Sequence, residues 1–342
     1  MKCGIVLDRL FARHMTPVGH PERPERILKI VEELEQKSEL ESVIHISPAP
    51  AQEKWISAVH TLQHFQKVKD SAKQAFYQFD PDTYASPESF EVALQAVGST
   101  VKLVKKLTGG EIDAGLALVR PPGHHAESNR IMGFCLFNNI AIAAHWAVSE
   151  GGLQRVAVVD FDVHHGNGTQ EIFYSRQDVM YLSAHQFPFY PGTGHFSELG
   201  QNEGKGFTVN FPIRAGIGNY FYCSLFEDFV IPVIRQFEPQ LVLVSAGYDA
   251  HQNDPLAGMN LDEDGFGELV NQLNQVAVEV CDGRIGYILE GGYNLEALGK
   301  SVLRTLTTTL EPQNFHIEKV QEEEYKTYRE HMVRVFSEYW EL

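Results

Sequence analysis

Residues 155–170 read Arg155-Val156-Ala157-Val158-Val159-Asp160-Phe161-Asp162-Val163-His164-His165-Gly166-Asn167-Gly168-Thr169-Gln170, and their reading decides the fold. Val156 to Val159 is unbroken, apolar and largely β-branched, which suits a strand buried on both faces of a parallel sheet. The polar cluster behind it therefore lies at a strand's carboxyl end, the edge at which open parallel sheets bind ligands. Two acids and two imidazoles are costly to desolvate there unless a metal or hydrogen bonds compensate. Residues two apart in an extended segment point the same way, so Asp162 and His164 can converge on one ion such as Zn²⁺. Asp160 has the same parity and lies one step deeper. A lone Asp-x-His is usually an ordinary strand end; the residues at the ends of the other strands argue for more.

Asp113 to Val119, Gln240 to Ser245 and Arg284 to Leu289 are further short apolar runs separated by helical lengths, and Cys3 to Leu7 reads as a first strand. This is the βαβ pattern of an α/β fold with a mostly parallel central sheet and helices on both faces. Arg120-Pro121-Pro122-Gly123-His124-His125 comes after the first of these runs, Ala246-Gly247-Tyr248-Asp249 after the second, and Glu290-Gly291-Gly292-Tyr293-Asn294 after the third. Four strand ends thus deliver a histidine pair, an Asp/His pair, an Asp and a Gly-Gly-Tyr into one crevice. Each alone is bland, but together they point to a metal-dependent hydrolytic centre.

The global numbers set the frame. A chain of 342 residues with 43% hydrophobic and 21% charged residues has an ordinary globular composition. A formal charge of −17 argues against general nucleic-acid or anionic-membrane binding and favours encounter with cationic substrates. Cys3, Cys135, Cys223 and Cys281 form no C-x-x-C pair and read as free thiols in a reducing compartment. Lys2 precedes only a short apolar run, so no signal peptide is expected, no run reaches membrane-spanning length, and the expected location is cytoplasmic. Pro24 opens a helix carrying Ile27, Ile30, Val31 and Leu34, helical stretches run from Trp55 to Phe79, and Ser86-Pro87-Glu88-Ser89 caps a helix that Gly109-Gly110 ends. Composition shifts only near Pro312. The expected division is a catalytic domain over 1–311 and a helical extension over 312–342, anchored by Val333, Phe336 and Trp340.

The chemistry assigns parts. Asp162, His164 and Asp249 as three protein ligands leave a position open for water and a substrate carbonyl, the catalytic arrangement. His124 and His125 are the adjacent pair able to take a proton from water and return it to a leaving amine, oriented through their second ring nitrogens by Asp160 and Asn167. The imidazole paired with the aspartate is expected to be the more cationic. The Tyr293 phenol, on a glycine-freed loop, can donate to a tetrahedral oxyanion.

R-P-P-G-H-H, G-F-C-x-F-N-N, D-x-D-x-H-H-G-N-G-T, P-G-T-G, G-Y-D and E-G-G-Y-N, in this order between Arg120 and Asn294, resemble the histone deacetylase and acetylpolyamine amidohydrolase superfamily. His20 to Arg26 adds an amino-terminal match. Phe137 to Asn139, Asn167 and Glu290-Gly291-Gly292 look like the class II branch and its bacterial relatives. The resemblance implies an arginase-like α/β fold, one catalytic Zn²⁺ and hydrolysis of an acetyl amide on a lysine, in protein or peptide, or on a polyamine. It implies zinc on Asp162, His164 and Asp249, His125 as general base and acid, His124 as its electrostatic partner and Tyr293 as oxyanion donor. It also implies a substrate tunnel lined by Gly133, Phe134, Tyr190 and Leu256, an acetate channel gated by Arg23, and a structural K⁺ site at Ser183 with the backbone around Asp160, Asp162 and His164, the alternative being a Ser183 hydroxyl that satisfies a loop carbonyl. Relatives with two metals carry further acids where Gly166 and His251 stand here, so one metal is expected. Leu256 stands near a position where acetylpolyamine specialists can carry an acid. A silent binding protein would be expected to have lost His125, Asp249 or Tyr293, and all three are present. Nothing in the sequence sets acyl length or oligomeric state.

Overall fold

Every residue of the strand Val156–Asp160 is buried, as its unbroken apolar sequence requires. In the computed structural model, which describes residues 2–37 and 42–342, this strand lies inside an eight-stranded sheet. In chain order the strands are β1 (Cys3–Leu7), β2 (Ile44–His45), β3 (Tyr77–Gln78), β4 (Tyr84–Ala85), β5 (Ala114–Leu118), β6 (Val156–Asp160), β7 (Val179–Gln186), β8 (Thr208–Ile213), β9 (Leu241–Ala246) and β10 (Ile285–Leu289). β3 and β4 pair with each other, antiparallel. The others run β2-β1-β5-β10-β9-β6-β7-β8, with every neighbouring pair parallel. Helices cover the sheet, making a single α/β domain.

The topology places the site. β5, β10, β9 and β6 are consecutive neighbours in the sheet although far apart in sequence. Their register brings them to nearly the same level: Asp160 lies beside Ser245, Ser245 beside Ile288, and Ile288 beside Ala117. The loops that leave these strands therefore emerge side by side at one edge, where parallel sheets bind ligands. Leu116, Val158, Val244 and Ile288 are fully buried beneath that edge.

Some expectations differ. β7 and β8 are absent from the sequence reading because Val179–Gln186 ends in polar residues and Thr208–Ile213 contains Pro212. Both extend the sheet beyond β6. The expected helical stretch from Trp55 to Phe79 resolves into helices Glu53–Ser57 and Leu62–Ser71 followed by β3. The reason is the turn after Phe79: Asp80 Oδ1 accepts from the backbone N–H groups of Asp82 and Thr83, at 3.1 and 2.7 Å, and folds the chain back as a hairpin. The carboxyl-terminal segment forms helix Glu322–Phe336, docked through Tyr325, Met332 and Phe336. Tyr325 donates to Ser224 O and Asp228 Oδ2, and Trp340 Nε1 donates to Gly206 O. No helix among the described residues is long and apolar enough to cross a membrane.

Helix Ser89–Thr108 crosses the segment around Pro50 at Gly98, where an added Cβ would lie 2.1 Å from Ala49 O and 2.4 Å from Ala51 N. Backbone on both sides leaves nothing free to move aside. Gly98→Ala is expected to destabilise the protein by about 1–3 kcal/mol and to lower the thermal midpoint by several degrees. Gly299→Ala, where the nearest atoms stand 3.5 Å away in ordinary contact, should be neutral or slightly stabilising through helix propensity. Thermal melts of the two variants beside the parent check this pair; equal melting points for Gly98→Ala and the parent would refute the close crossing.

Candidate active site

Asp162 and His164 leave β6, and Asp249 leaves β9. The three side chains are buried, and one ligating atom from each lies within 4.8 Å of the others. His164 Nδ1 stands 3.1 Å from Asp249 Oδ2 and 3.3 Å from Asp162 Oδ1. Backbone N–H groups fix both carboxylates: Gly291 N donates to Asp162 Oδ2 at 2.8 Å, and Val163 N to Asp249 Oδ1 at 3.0 Å. Glycine makes room for them. A Cβ on Gly247 would fall 1.9 Å from Asp162 Oδ2, and one on Gly291 2.2 Å from Asp249 Oδ2.

The electrostatics favour a cation here. Burial pushes both carboxyls up; in Asp162 the charges of His124 and His164 outweigh it and hold the group well below the usual range, whereas in Asp249 burial and the Asp162 charge keep it raised. Burial disfavours charge on His164 too, yet hydrogen bonds to Asp162 and Asp249 lift its pKa to about 10. A pocket that holds a proton so firmly is strongly negative. Two carboxylates and one imidazole at this spacing fit a divalent ion of the zinc type.

The histidine pair emerges from β5. His124 Nδ1 lies 3.1 Å from Asp160 Oδ2, and His125 Nδ1 lies 2.8 Å from Asn167 Oδ1. Both rings are buried, with centroids 4.0 Å apart. Burial opposes charge on His124, but Asp162 and Asp160 outweigh it and raise the pKa to about 10. His125 has no such partner: burial, then His124 and His164, hold it well below its ordinary value. Asn167 is itself oriented, because its Nδ2 donates to Glu127 Oε1 at 2.7 Å and so turns Oδ1 towards His125. With Nδ1–H donated to that oxygen, His125 presents an unprotonated Nε2. The environments of the two rings thus favour opposite charge, neutral on His125 and cationic on His124.

Tyr293 leaves β10 and is 9% exposed. Its ring meets Phe134 edge-on at 5.7 Å and lies under the Arg26 guanidinium, 4.8 Å from ring centroid to Cζ. Phe134 itself has φ 66°, unusual for a bulky residue, and its N–H is held by Thr83 Oγ1 at 3.0 Å. Gly133 packs against His125, where a Cβ would fall 2.3 Å from Cδ2. Tyr190 stands edge-on to His125 at 5.2 Å and to His164 at 6.1 Å. Leu256 is half-buried.

Two further groups have defined surroundings. Arg23 is half-buried and makes no side-chain hydrogen bond or ion pair among the described residues. The arginine that reaches the Tyr293 loop is Arg26, one helical turn on: fully buried, it donates through Nε to Gly292 O at 2.7 Å and through Nη2 to Glu290 O. Ser183 lies beside Asp160 in the β6–β7 register, but its Oγ is 2.9 Å from His185 Nδ1, and Asp160 Oδ2 accepts from Tyr181 OH at 3.0 Å.

Residues to which the sequence reading gave no role support these side chains. Glu290 Oε2 accepts from Gly123 N at 2.6 Å and His124 N at 3.1 Å, tying the histidine loop to the tyrosine loop, and burial lifts its pKa to about 7. Phe189 stacks on His164 at 5.2 Å. Glu22, fully buried, accepts from both Arg26 and Arg120. Glu127 and Asp254 complete the set. Glu290, Asp254 and Glu127 grip backbone N–H groups or a side-chain amide across loops, and such contacts leave no pattern along a chain.

With this geometry in hand, comparison with known proteins is direct. The histone deacetylase domain family matches residues 20–309. "Histone deacetylase 10, chloroplastic" of Oryza sativa subsp. japonica is 41% identical over 310 residues, 85% of this chain and 70% of that protein. A "Probable deacetylase" of Archaeoglobus fulgidus is 36% identical over 86% of this chain and 82% of its own length. "Histone deacetylase 5" of Arabidopsis thaliana is 39% identical over 91% of this chain, which spans only 49% of that longer protein. The crystal structure of the HDA15 HD domain superposes with a TM-score of 0.93 at 34% identity, covering 99% of this chain and 97% of that one. The chain belongs to the histone deacetylase family and is a hydrolase of the deacetylase class.

Proposed function

We propose that the chain is a zinc-dependent deacetylase that hydrolyses the acetyl amide on the ε-amino group of lysine. The observation that carries this is the convergence of Asp162, His164 and Asp249 beside two imidazoles whose Nδ1 atoms meet Asp160 and Asn167. A bound Zn²⁺ supplies Lewis acidity towards the acyl carbonyl and lowers the pKa of a water. The chain's residues do the rest. His125, neutral and free at Nε2, takes the proton of the attacking water and returns it to the departing amine. His124, paired with Asp160, places positive charge beside His125 when protonated and so keeps it a weak base, and the proton His125 gains is readily given back. Tyr293 donates to the oxyanion as the carbonyl carbon becomes tetrahedral. Phe134 and Tyr190 flank the approach, where their faces suit a lysine's methylene chain. A structural K⁺ would be held by Ser183 with the backbone around Asp160, Asp162 and His164. Four free, buried thiols accord with a reducing compartment such as the cytoplasm.

Acetyl-lysine peptides and acetylated polyamines, assayed side by side on one zinc-loaded preparation, test the substrate assignment. Clear preference for the peptides is expected; preference for the polyamines would replace the lysine reading with a small-amine one. Asp249→Ala removes one of three ligands and is expected to abolish zinc retention with turnover, as read by metal analysis of the purified variant. Stoichiometric zinc in that variant would sink the ligand assignment.

Both His125→Ala and His124→Ala should retain zinc, but His125→Ala should lose the greater share of kcat, since only His125 exchanges protons with the reacting atoms. A reversed ranking would swap their roles. Tyr293→Phe should leave zinc and fold unchanged while lowering kcat by roughly 10² to 10³, the usual loss for one oxyanion donor. Trifluoroacetyl-lysine stabilises the same oxyanion through its fluorines, so kcat/KM should fall much less on it than on acetyl-lysine. Equal losses on the two substrates would instead give Tyr293 a role in shaping the tunnel.

A further inference from the structure

Asp254 is 7% exposed and has no ion-pair partner among the described residues. A carboxylate so placed needs hydrogen bonds, and it has three, all from backbone N–H groups. Its Oδ2 accepts from Tyr293 N at 2.6 Å and from Asn294 N at 3.2 Å, and its Oδ1 accepts from Leu256 N at 3.0 Å. Its own N–H is held by His251 O at 2.8 Å. The next helix beyond Tyr293, Leu295–Leu310, does not need this carboxylate as a cap, because Asn294 Oδ1 already accepts from Ala297 N at 3.0 Å.

The three bonds join parts with different tasks. Asp254 lies on the loop that also carries Asp249, five positions earlier in the chain. Leu256 lies on the same loop. Tyr293 comes from the loop after β10, which turns at Gly292 with φ 114° and so depends on external contacts to fix its path. Arg26 holds that loop through the carbonyls of Glu290 and Gly292, but the N–H of the tyrosine itself is held by Asp254.

We infer that Asp254 is a positioning residue, which sets the Tyr293 phenol at a fixed offset from the loop bearing Asp249 and Leu256. The inference rests on the reading of Tyr293 as oxyanion donor. An oxyanion donor is effective only when its hydrogen bond is directed at the place where charge develops, so a shift of a fraction of an ångström in the backbone at Tyr293 weakens the transition state more than the ground state. Asp254→Asn keeps the size of the side chain but offers one acceptor oxygen in place of two, so it gives up either the Tyr293 and Asn294 bonds or the Leu256 bond, and either loss frees the offset between the two loops.

The test compares Asp254→Asn, Tyr293→Phe and the double variant, all zinc-loaded, on acetyl-lysine and trifluoroacetyl-lysine peptides. Asp254→Asn should keep its zinc and lose about 10- to 100-fold in kcat/KM on acetyl-lysine, the usual range for residues that orient a working group. The loss should lie in kcat and be clearly smaller on trifluoroacetyl-lysine. In the double variant it should add little to the loss from Tyr293→Phe, because both changes then act on one hydrogen bond. Asp254→Glu, which keeps the charge but moves the carboxylate by one methylene, should show the same substrate bias and serves if the amide variant folds poorly. Equal losses on both substrates, full additivity with Tyr293→Phe, or loss of zinc would each overturn the inference. Tyr293→Phe reads the two ideas apart: a substrate bias there without one in Asp254→Asn removes only the positioning role, whereas no bias in Tyr293→Phe itself removes the donor and its positioner together.

Discussion

Buried negative charge is the constraint on which this structure depends. Asp160, Asp162, Asp249 and Glu290 are all inaccessible and gathered at the carboxyl ends of neighbouring strands. Four carboxylates cannot share a dry crevice unless each is met by a cation or by hydrogen-bond donors. The fold meets each differently: His124 and Tyr181 face Asp160, the Gly291 N–H faces Asp162, the Val163 N–H faces Asp249, and the N–H groups of Gly123 and His124 face Glu290. The charge left unmet lies around His164, between Asp162 and Asp249. The unbalanced charge and the candidate metal triad therefore coincide, and backbone N–H groups hold the carboxylates in place there.

Beneath this crevice the balance is reversed. Glu22 is fully buried between Arg26 and Arg120. Burial would raise its pKa, but Arg120 and the other partners hold it well below the ordinary value. Arg120 also donates to Phe11 O and His14 O, and Arg26 to the carbonyls of Glu290 and Gly292. The amino-terminal segment is thereby fastened to both the histidine loop and the tyrosine loop. Removing Glu22 would strand two buried guanidinium groups, a loss of the order of 3–5 kcal/mol for a broken buried pair.

The physics of each contact decides how much of this is legible in the sequence. β1, β5, β6, β9 and β10 are short apolar runs whose burial on both faces appears directly as composition, and the loops behind them carry chemically distinctive residues at fixed spacing. Hence the convergence of the candidate metal triad and of the histidine pair can be read from the chain alone. β7 and β8 cannot, because Ser183, His185 and Pro212 break the apolar pattern. Arg23 and Arg26 are near-identical in local context, Pro-Glu-Arg in each case, and only the pitch of helix Glu25–Glu35 sends the second inward. Glu127, Asp254 and Glu290 are illegible for another reason: their partners are mostly backbone N–H groups or an amide, which have no sequence identity.

Tyr293 shows why supports of both signs are needed around one phenol. To act as a donor it must keep its proton, and burial raises its pKa well above the ordinary value, with Asp249 and Asp162 adding to that effect while Arg26 opposes it. Burial and acids alone would guarantee the proton but would leave no positive potential where an oxyanion forms. The Arg26 guanidinium, seated over the ring, supplies some of that potential and fixes the ring by a cation–π contact. Because Arg26 also carries the loop's carbonyls, the group that tunes the phenol electrostatically is the same one that holds its backbone, and neither property can change without the other.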